Sequence, residues 1–355
     1  MTTYNELPRV TVLVPCRNEA AFIERCLDSI VHNGYPESLL QVLVLDGRSE
    51  DATAQLVRDF QERHSCVMLI DNPHRITSTA LNLGIAAATG DYIVWMSAHN
   101  RYDAGYIERC IDWSLRSGAD NVGGVIVAQP RDNTAFGRAI VLVLANRFGN
   151  GGSKFRTSVA EPVWADTVFG GCYRRDVFAK VGLFNEQLVR GQDFEFNMRL
   201  RRAGLRTLLV PTIRSTYFAR STPVEFLKHN WANGVWAILP FRYSDVVPVG
   251  LRHLAPMCFV GSIIASMLLG LVMPPFRFLA LGILGAYGIA TIAASVSIAT
   301  RERSVKLAII LPVVFWSLHI SYGLGSLWAA LRSTNALLRH AAMLARSTSD
   351  SELAR

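Results

Sequence analysis

From Leu254 to Phe276 the chain carries no charged side chain, from Phe278 to Thr300 again none, and from Leu307 to Leu331 only His319 interrupts the apolar run. Each run exceeds the roughly 20 residues that cross a bilayer as a helix. Pro256, Gly261, Gly282, Gly285, Gly288 and Pro312 lie within them, and membrane helices tolerate both residue types and use glycine for close packing. Three transmembrane helices over 253–331 are expected, followed by a polar tail over 332–355. Residues 1–250 hold no comparable run. The chain is half hydrophobic and only 18% charged, which excludes a disordered or collagenous chain. Six cysteines (Cys16, Cys26, Cys66, Cys110, Cys172 and Cys258) form no CxxC pair and no zinc spacing. They read as thiols of a reducing compartment.

Orientation follows from the loops. Arg301, Arg303 and Lys306 separate the second and third runs, whereas Pro274-Pro275-Phe276-Arg277 holds a single charge. The positive-inside bias places residues 1–250 in the cytoplasm. The formal charge of +8 then suits an anionic inner leaflet, and no nucleic-acid partner is expected. Arg332, Arg339, Arg346 and Arg355 in the tail conflict with an odd number of spans, so the side of the tail stays open. The first residues, MTTYNELPRVTVLV, lack the basic and apolar regions of a secretory leader.

The first half alternates strand and helix. Val10–Pro15, Gln41–Leu45, Val67–Asp71 and Tyr92–Met96 read as strands; 20–31, 53–63 and 78–89 read as helices. That alternation predicts an α/β domain with a mostly parallel sheet, in which ligands bind beyond the carboxyl ends of the strands. Each strand ends in polar residues: Arg17-Asn18-Glu19, Asp46, Asp71-Asn72 and Ser97-Ala98-His99. No GxGxxG follows the first strand and no GK[ST] is present, which argues against dinucleotide and phosphate-loop folds. Residues 223–242 mix Phe226, Trp231, Trp236 and Phe241 with Lys228, His229 and Arg242, the composition of an interfacial helix.

VTVLVPCRNE, VLVLDGRSEDAT and NPHRITSTALNLGIAAATGDYIVWMSAH, in that order, resemble the family 2 inverting glycosyltransferases of the GT-A fold. ADTVFGGCYRRDVFAKVGLFNEQLVRGQDFEFNMRLRRAG, LVPTIRSTYFARST and HISYGLGSLWAAL are similar to the membrane-associated branch containing the succinoglycan-type glucosyltransferases. The resemblance implies a GT-A domain over 1–222, an amphipathic interfacial segment over 223–252 and the membrane helices after it. It implies a family 2 hexosyltransferase at a bacterial inner membrane. Pro15, Arg17, Glu19, Asp46, Arg75, Asn82 and Ser97 match donor or nucleotide positions. Asp166, Gly170, Gly171, Gln192 and Trp236 match donor-sugar or acceptor positions. Asp193 matches the general base, with Glu195 as its substitute, and His99 matches a ligand for Mn²⁺ or Mg²⁺. There the chain departs from the pattern: Ser97 stands where the family usually carries Asp, which weakens the expected site. If a metal is dispensable, Arg174, Arg175 or Arg220 could neutralise the leaving group.

The function so implied is sugar transfer from a nucleotide sugar, a UDP-hexose, to a polyprenyl-diphosphate-linked saccharide in cell-surface polysaccharide assembly, beside other assembly enzymes. Two rivals remain: transfer directly onto polyprenyl phosphate, and a nucleotide-binding homologue without turnover. Asn233-Gly234-Val235-Trp236 keeps the tryptophan of the processive QxxRW motif but not its arginine, which argues against processive synthesis.

Overall fold

The computed structural model describes residues 7–157, 159–244 and 249–353. Its sheet contains β1 (Val10–Cys16), β2 (Leu40–Asp46), β3 (Val67–Asp71), β4 (Tyr92–Trp95), β5 (Asn100–Tyr102), β6 (Asn121–Pro130), β7 (Val163–Ala165), β8 (Gly171–Arg174) and β9 (Thr207–Ala219). The order is β3-β2-β1-β4-β8-β6-β9-β5, with β7 on β9. β1 runs parallel to β2 and β4, and β2 parallel to β3. From β8 onward the pairing turns antiparallel. The sheet is therefore mixed, its parallel half matching the strands read from the apolar runs.

Helices α1 (Ile23–Val31), α2 (Thr53–Arg63), α3 (Thr77–Ala87) and α4 (Tyr106–Ser117) complete this first half. Val10, Val12 and Val14 of β1 pack with Ile23, Leu27 and Ile30 of α1 on one face. Leu13 packs with Leu43, Leu45, Leu81 and Ile93 on the other. Burial on both faces is why β1 reads as an uninterrupted apolar run rather than an alternating one. α1 begins at Ile23, later than the expected 20, because Ala20–Phe22 form a turn whose start is held by Asp51 Oδ2 accepting from Ala20 N at 3.2 Å.

The chain divides into two compact units: Met1–Ala128 with Lys154–Phe218, and Gln129–Ser153 with Ala219–Arg355. The second unit takes in a segment that the sequence pattern places inside the 1–222 domain. Its first elements are α5 (Ala135–Ala145) and α6 (Arg147–Asn150). Phe148 packs its ring 5.6 Å from Tyr287, 5.3 Å from Phe315 and 5.3 Å from His319, and Arg138 pairs with Glu302. These partners lie more than a hundred residues downstream, beyond the reach of local pattern.

Back in the first unit lie α7 (Lys154–Thr157), α8 (Asp176–Val181) and α9 (Gln192–Arg202); the second unit resumes with α10 (Pro223–Ile238), α11 (Ala255–Leu269), α12 (Pro275–Arg301) and α13 (Val305–Leu353). Three stretches are long and apolar enough to cross a membrane: Leu251–Leu269, Pro275–Arg301 and Val305–Thr334. α10 exposes Val224, Leu227 and Trp231 but also packs tightly on α13. A Cβ on Gly234 would lie 2.0 Å from the Tyr322 carbonyl, and one on Gly325 would lie 2.3 Å from the Trp231 carbonyl. Glycine at both positions lets the backbones touch, and Ser326 Oγ donates to the Gly234 carbonyl at 2.9 Å across the contact. Of the tail, Arg332 sits 4.4 Å over the Trp328 ring; the side chains of Arg339 and Arg346, and Arg355 altogether, lie outside the described residues.

Three apolar spans hold by burial, which salt does not screen, whereas a basic surface alone would release in salt. Washing membranes with concentrated salt or alkaline carbonate is expected to leave the protein in the pellet. Quantitative release into the supernatant would remove the transmembrane assignment.

Candidate active site

At the carboxyl end of β1 and β2 the side chains are bound to one another. Asp46 is buried, its Oδ2 accepting from Ser49 N at 3.1 Å and its Oδ1 from Ser49 Oγ at 2.5 Å. Arg17 pairs with Glu50 at 3.3 Å, and Arg75 reaches the same carboxylate at 4.0 Å. Arg17 and Arg75 are both exposed, and Pro15 borders them at the end of β1. Asp51 accepts from Thr53 N at 3.0 Å and Thr53 Oγ1 at 2.5 Å; desolvation raises its carboxyl, but these bonds, with those of the Ala20 and Asp51 backbone, together hold it below the usual range. The structure thus places an exposed arginine pair near Asp46, and Asp51 in the turn that leads into α2.

Asn82 is different. Its Nδ2 donates to the Phe184 carbonyl at 2.9 Å and to Glu186 Oε1 at 2.8 Å, while its Oδ1 accepts from Phe184 N at 2.9 Å. Both ends of the buried amide are used within the protein, so Asn82 pins the loop before α9. The part that the sequence leaves unseen at Asn82 is this structural one.

Beyond β4, His99 Nδ1 lies 3.1 Å from Glu19 Oε1. Ser97 Oγ lies 3.3 Å from the ring nitrogens. Asn100 pairs with Tyr217 in the β5–β9 register, and the His99 ring meets the Tyr217 ring edge-on at 5.5 Å. Glu19 thus faces the imidazole. Among the described residues no three His, Cys, Asp or Glu side chains gather as a metal cluster. The donor set fits a divalent ion in a restricted sense: one imidazole, one carboxylate and a hydroxyl, with the remaining positions open to phosphate oxygens and water.

The acidic motif opens α9 as a helix start, not a strand. Gly191 precedes it at φ +76°, and Asp193 and Glu195 fall in its first turn. The two carboxylates have opposite fates. Glu195 is buried and clamped by Arg199, at 2.9 Å to Nε and 3.0 Å to Nη2. That bidentate pair removes it as a substitute base. Asp193 makes no ion pair among the described residues, and desolvation pushes its carboxyl above the usual range against the pull of the backbone N–H groups of Asp193 and Phe194 and of the Arg156 charge. A network beneath holds its backbone: Asn197 Nδ2 donates to the Asp193 carbonyl at 2.8 Å, and Asn121 Nδ2 donates to Asn197 Oδ1 at 2.9 Å. Gln192 is buried beside it, with Oε1 unpaired among the described residues.

Asp166 follows β7 and is half-buried. Gly170 (φ +65°) and Gly171 (φ +124°) form the turn into β8; added Cβ atoms would lie 2.4 Å from the Trp95 carbonyl and 2.4 Å from Asn121 Oδ1. The close approach they permit is to the protein's own core. Trp236 lies on α10 in the second unit. Arg174 is committed to Asp120 at 2.8 Å and Asp176 at 3.3 Å. Arg175 is the residue before α8, and Arg220 belongs to the second unit. The cation near Asp193 is instead Arg156, at the end of α7. No motif marks it in the sequence.

Residues 11–182 match the model of the Glycosyl transferase family 2 domain. The chain carries a glycosyltransferase family 2 domain on a GT-A-like fold, and it is an enzyme of that class. It is 28% identical over 295 residues to the succinoglycan biosynthesis protein ExoA of Rhizobium meliloti, covering 82% of this chain and 86% of that one. It is 27% identical over 330 residues to a dolichyl N-acetyl-alpha-D-glucosaminyl phosphate 3-beta-D-2,3-diacetamido-2,3-dideoxy-beta-D-glucuronosyltransferase of Methanococcus voltae, covering 88% and 95%. The mannosyltransferase PcManGT of Pyrobaculum calidifontis, solved with GDP-Man and Mn²⁺, superposes with a TM-score of 0.60 at 22% identity over 93% of this chain and 88% of that one.

A carboxyl group whose pKa is raised by folding binds its proton more tightly folded than unfolded, so its ionisation opposes folding above the unfolded value and ceases to matter at low pH. Asp193→Asn is therefore expected to keep or raise the melting temperature at pH 7–8, with the difference vanishing as pH falls below the ordinary carboxylate range. A melting temperature lowered at neutral pH and unaffected by acid would contradict the raised pKa.

Proposed function

We propose that this chain is an inverting glycosyltransferase that moves a sugar from a nucleotide sugar, a UDP-hexose, to a polyprenyl-diphosphate-linked saccharide in cell-surface polysaccharide assembly. Two relatives matched over most of their length support this reading by name, one in succinoglycan biosynthesis and one on a dolichyl-phosphate-linked sugar. The observation that carries it is Asp193, a desolvated carboxylate without an ion-pair partner in the first turn of α9. Inversion by single displacement needs one base and no carboxylate nucleophile. Asp193 takes the proton of the acceptor hydroxyl as that oxygen bonds to the anomeric carbon. The bond from that carbon to the diphosphate breaks, and its electron pair leaves with the diphosphate.

The donor's nucleoside is assigned to the edge formed by Pro15, Arg17, Asp46 and Arg75, and the donor sugar and acceptor to the region of Asp166 and Gln192. His99, with Glu19 and Ser97, would hold a divalent cation, which supplies positive charge to the departing diphosphate. Arg301, Arg303 and Lys306 support a multi-pass protein of the bacterial inner membrane with residues 1–250 in the cytoplasm.

Radiolabelled UDP-hexoses incubated with membranes are expected to label a lipid-linked oligosaccharide in the wild type. Asp193→Asn is expected to lower the rate about 10²–10⁴-fold with little change in UDP affinity. A variant retaining more than a tenth of the rate would place the base elsewhere, and label released as a sugar from lipid monophosphate by mild acid would favour direct transfer to polyprenyl phosphate. The half-saturating Mn²⁺ or Mg²⁺ concentration is expected to rise in His99→Ala and to fall in Ser97→Asp. Undiminished activity in excess EDTA would set the cation aside.

A further inference from the structure

Arg156 is a cation held without an ion-pair partner among the described residues. Its guanidinium carbon lies 5.6 Å from the Tyr217 ring centroid and 5.6 Å from that of Phe155. No carboxylate forms an ion pair with it among the described residues, and desolvation pulls its pKa below the ordinary arginine value despite the opposing pull of Tyr217 and Asp193. Arginine is normally kept in such surroundings only when an anion or a set of acceptors meets it. Other arginines of this unit show the contrast: at the carboxyl edge Arg17 has Glu50 and Arg48 has Asp71, and elsewhere Arg174 has Asp120 and Arg199 has Glu195.

Its neighbours say which anion is missing. On one side Arg156 and the Asp193 carboxylate sense each other's charge. On the other, the Tyr217 ring that Arg156 covers meets His99, which is paired with Glu19. The ring contacts thus run from Arg156 through Tyr217 to His99, with the Asp193 carboxylate within electrostatic reach of Arg156. A donor bound for displacement must bring its anomeric carbon to the base and its diphosphate toward His99, so the bond that breaks falls along this run. Ser97 adds a reason. A site with a hydroxyl in place of a carboxylate leaves more of the leaving charge to be met by other groups.

We propose that Arg156 is a further catalytic residue, binding the β-phosphate of the donor and stabilising the negative charge that the diphosphate gains as it leaves. This rests on the glycosyl-transfer reading above and adds the residue that neutralises the leaving group. When the bond from the anomeric carbon to the β-phosphate oxygen breaks, the electron pair passes to that oxygen. The guanidinium donates N–H groups to the phosphate and is itself unchanged, and the proton of the acceptor hydroxyl stays on Asp193. Arginine suits the task because its planar fork grips two phosphate oxygens at once.

The test is calorimetric titration of the full-length protein in detergent with UDP, GDP, UMP and uridine, with and without Mn²⁺, comparing wild type, Arg156→Gln and Arg156→Lys. Arg156→Gln is expected to weaken the bound diphosphate, UDP or GDP, about 10–100-fold, as loss of a charged hydrogen bond does. UMP and uridine affinities are expected to stay within about twofold, and Arg156→Lys to recover part of the loss. In transfer assays Arg156→Gln is expected to lower kcat more than it raises the KM for the donor, because the charge is larger in the transition state. Equal diphosphate affinity in Arg156→Gln and wild type would overturn the proposal. So would a uniform loss for UDP, UMP and uridine, which marks a collapsed site. Wild-type protein that binds neither UDP nor GDP would overturn the transferase reading itself, and this proposal with it.

Discussion

Because β1, β2 and β4 are buried on both faces, their only route to polar chemistry is the carboxyl edge of the sheet. Val12, Val14, Leu43, Val44 and Val94 are all essentially inaccessible, so a polar side chain among them would need a buried partner. Thr11 is the instructive exception: it is fully buried, donates to Gln41 Oε1 at 2.7 Å and accepts from Gly90 N at 2.9 Å. At the strand ends the requirement relaxes, and Glu19, Asp46, Asp71 and His99 cluster there. The fold concentrates the chemistry by excluding it everywhere else.

That edge is nevertheless full of charges already spent. Asp46 is engaged by Ser49, Asp71 by Arg48, Glu19 by His99 and Asp51 by Thr53. Each bond fixes a turn and lowers the cost of holding a carboxylate near apolar strands. Asp193 and Arg156 stand apart, desolvated, within reach of one another's charge and without ion pairs among the described residues. Beneath α9, Asn197 Nδ2 donates to the Asp193 carbonyl and to Thr167 Oγ1, and Asn121 Nδ2 donates to Asn197 Oδ1, so that the start of the helix is held independently of either charge.

The parallel half was legible in the sequence to within three residues. The helix 53–63 and the strand 67–71 fall where the pattern puts them, since both follow from local periodicity. The antiparallel half was not, because β5, β7 and β8 are too short to show a period. Asp193 was found through its motif. Asn82 occupied a familiar position, yet its partners Phe184 and Glu186 lie about a hundred residues away and no spacing announces them. Arg156 fails in the opposite sense: a lone arginine after a glycine-rich stretch resembles any surface cation, and only its contacts distinguish it.

The division into units also runs across the linear order in a way that composition could not suggest. The chain passes from one unit to the other after Ala128, after Ser153 and after Phe218. Residues 129–153 fall inside the 1–222 domain that the family resemblance implies. They fold with the membrane helices because Phe148 completes the aromatic group of Tyr287, Phe315 and His319, and because Arg138 finds Glu302 at the start of the loop between α12 and α13. Cutting the chain at the apparent boundary near residue 222 would leave α5 and α6 without the surface that buries Phe148. The chain thus passes repeatedly between the two units, and the long apolar C-terminal helices serve as packing partners for α5 and α6.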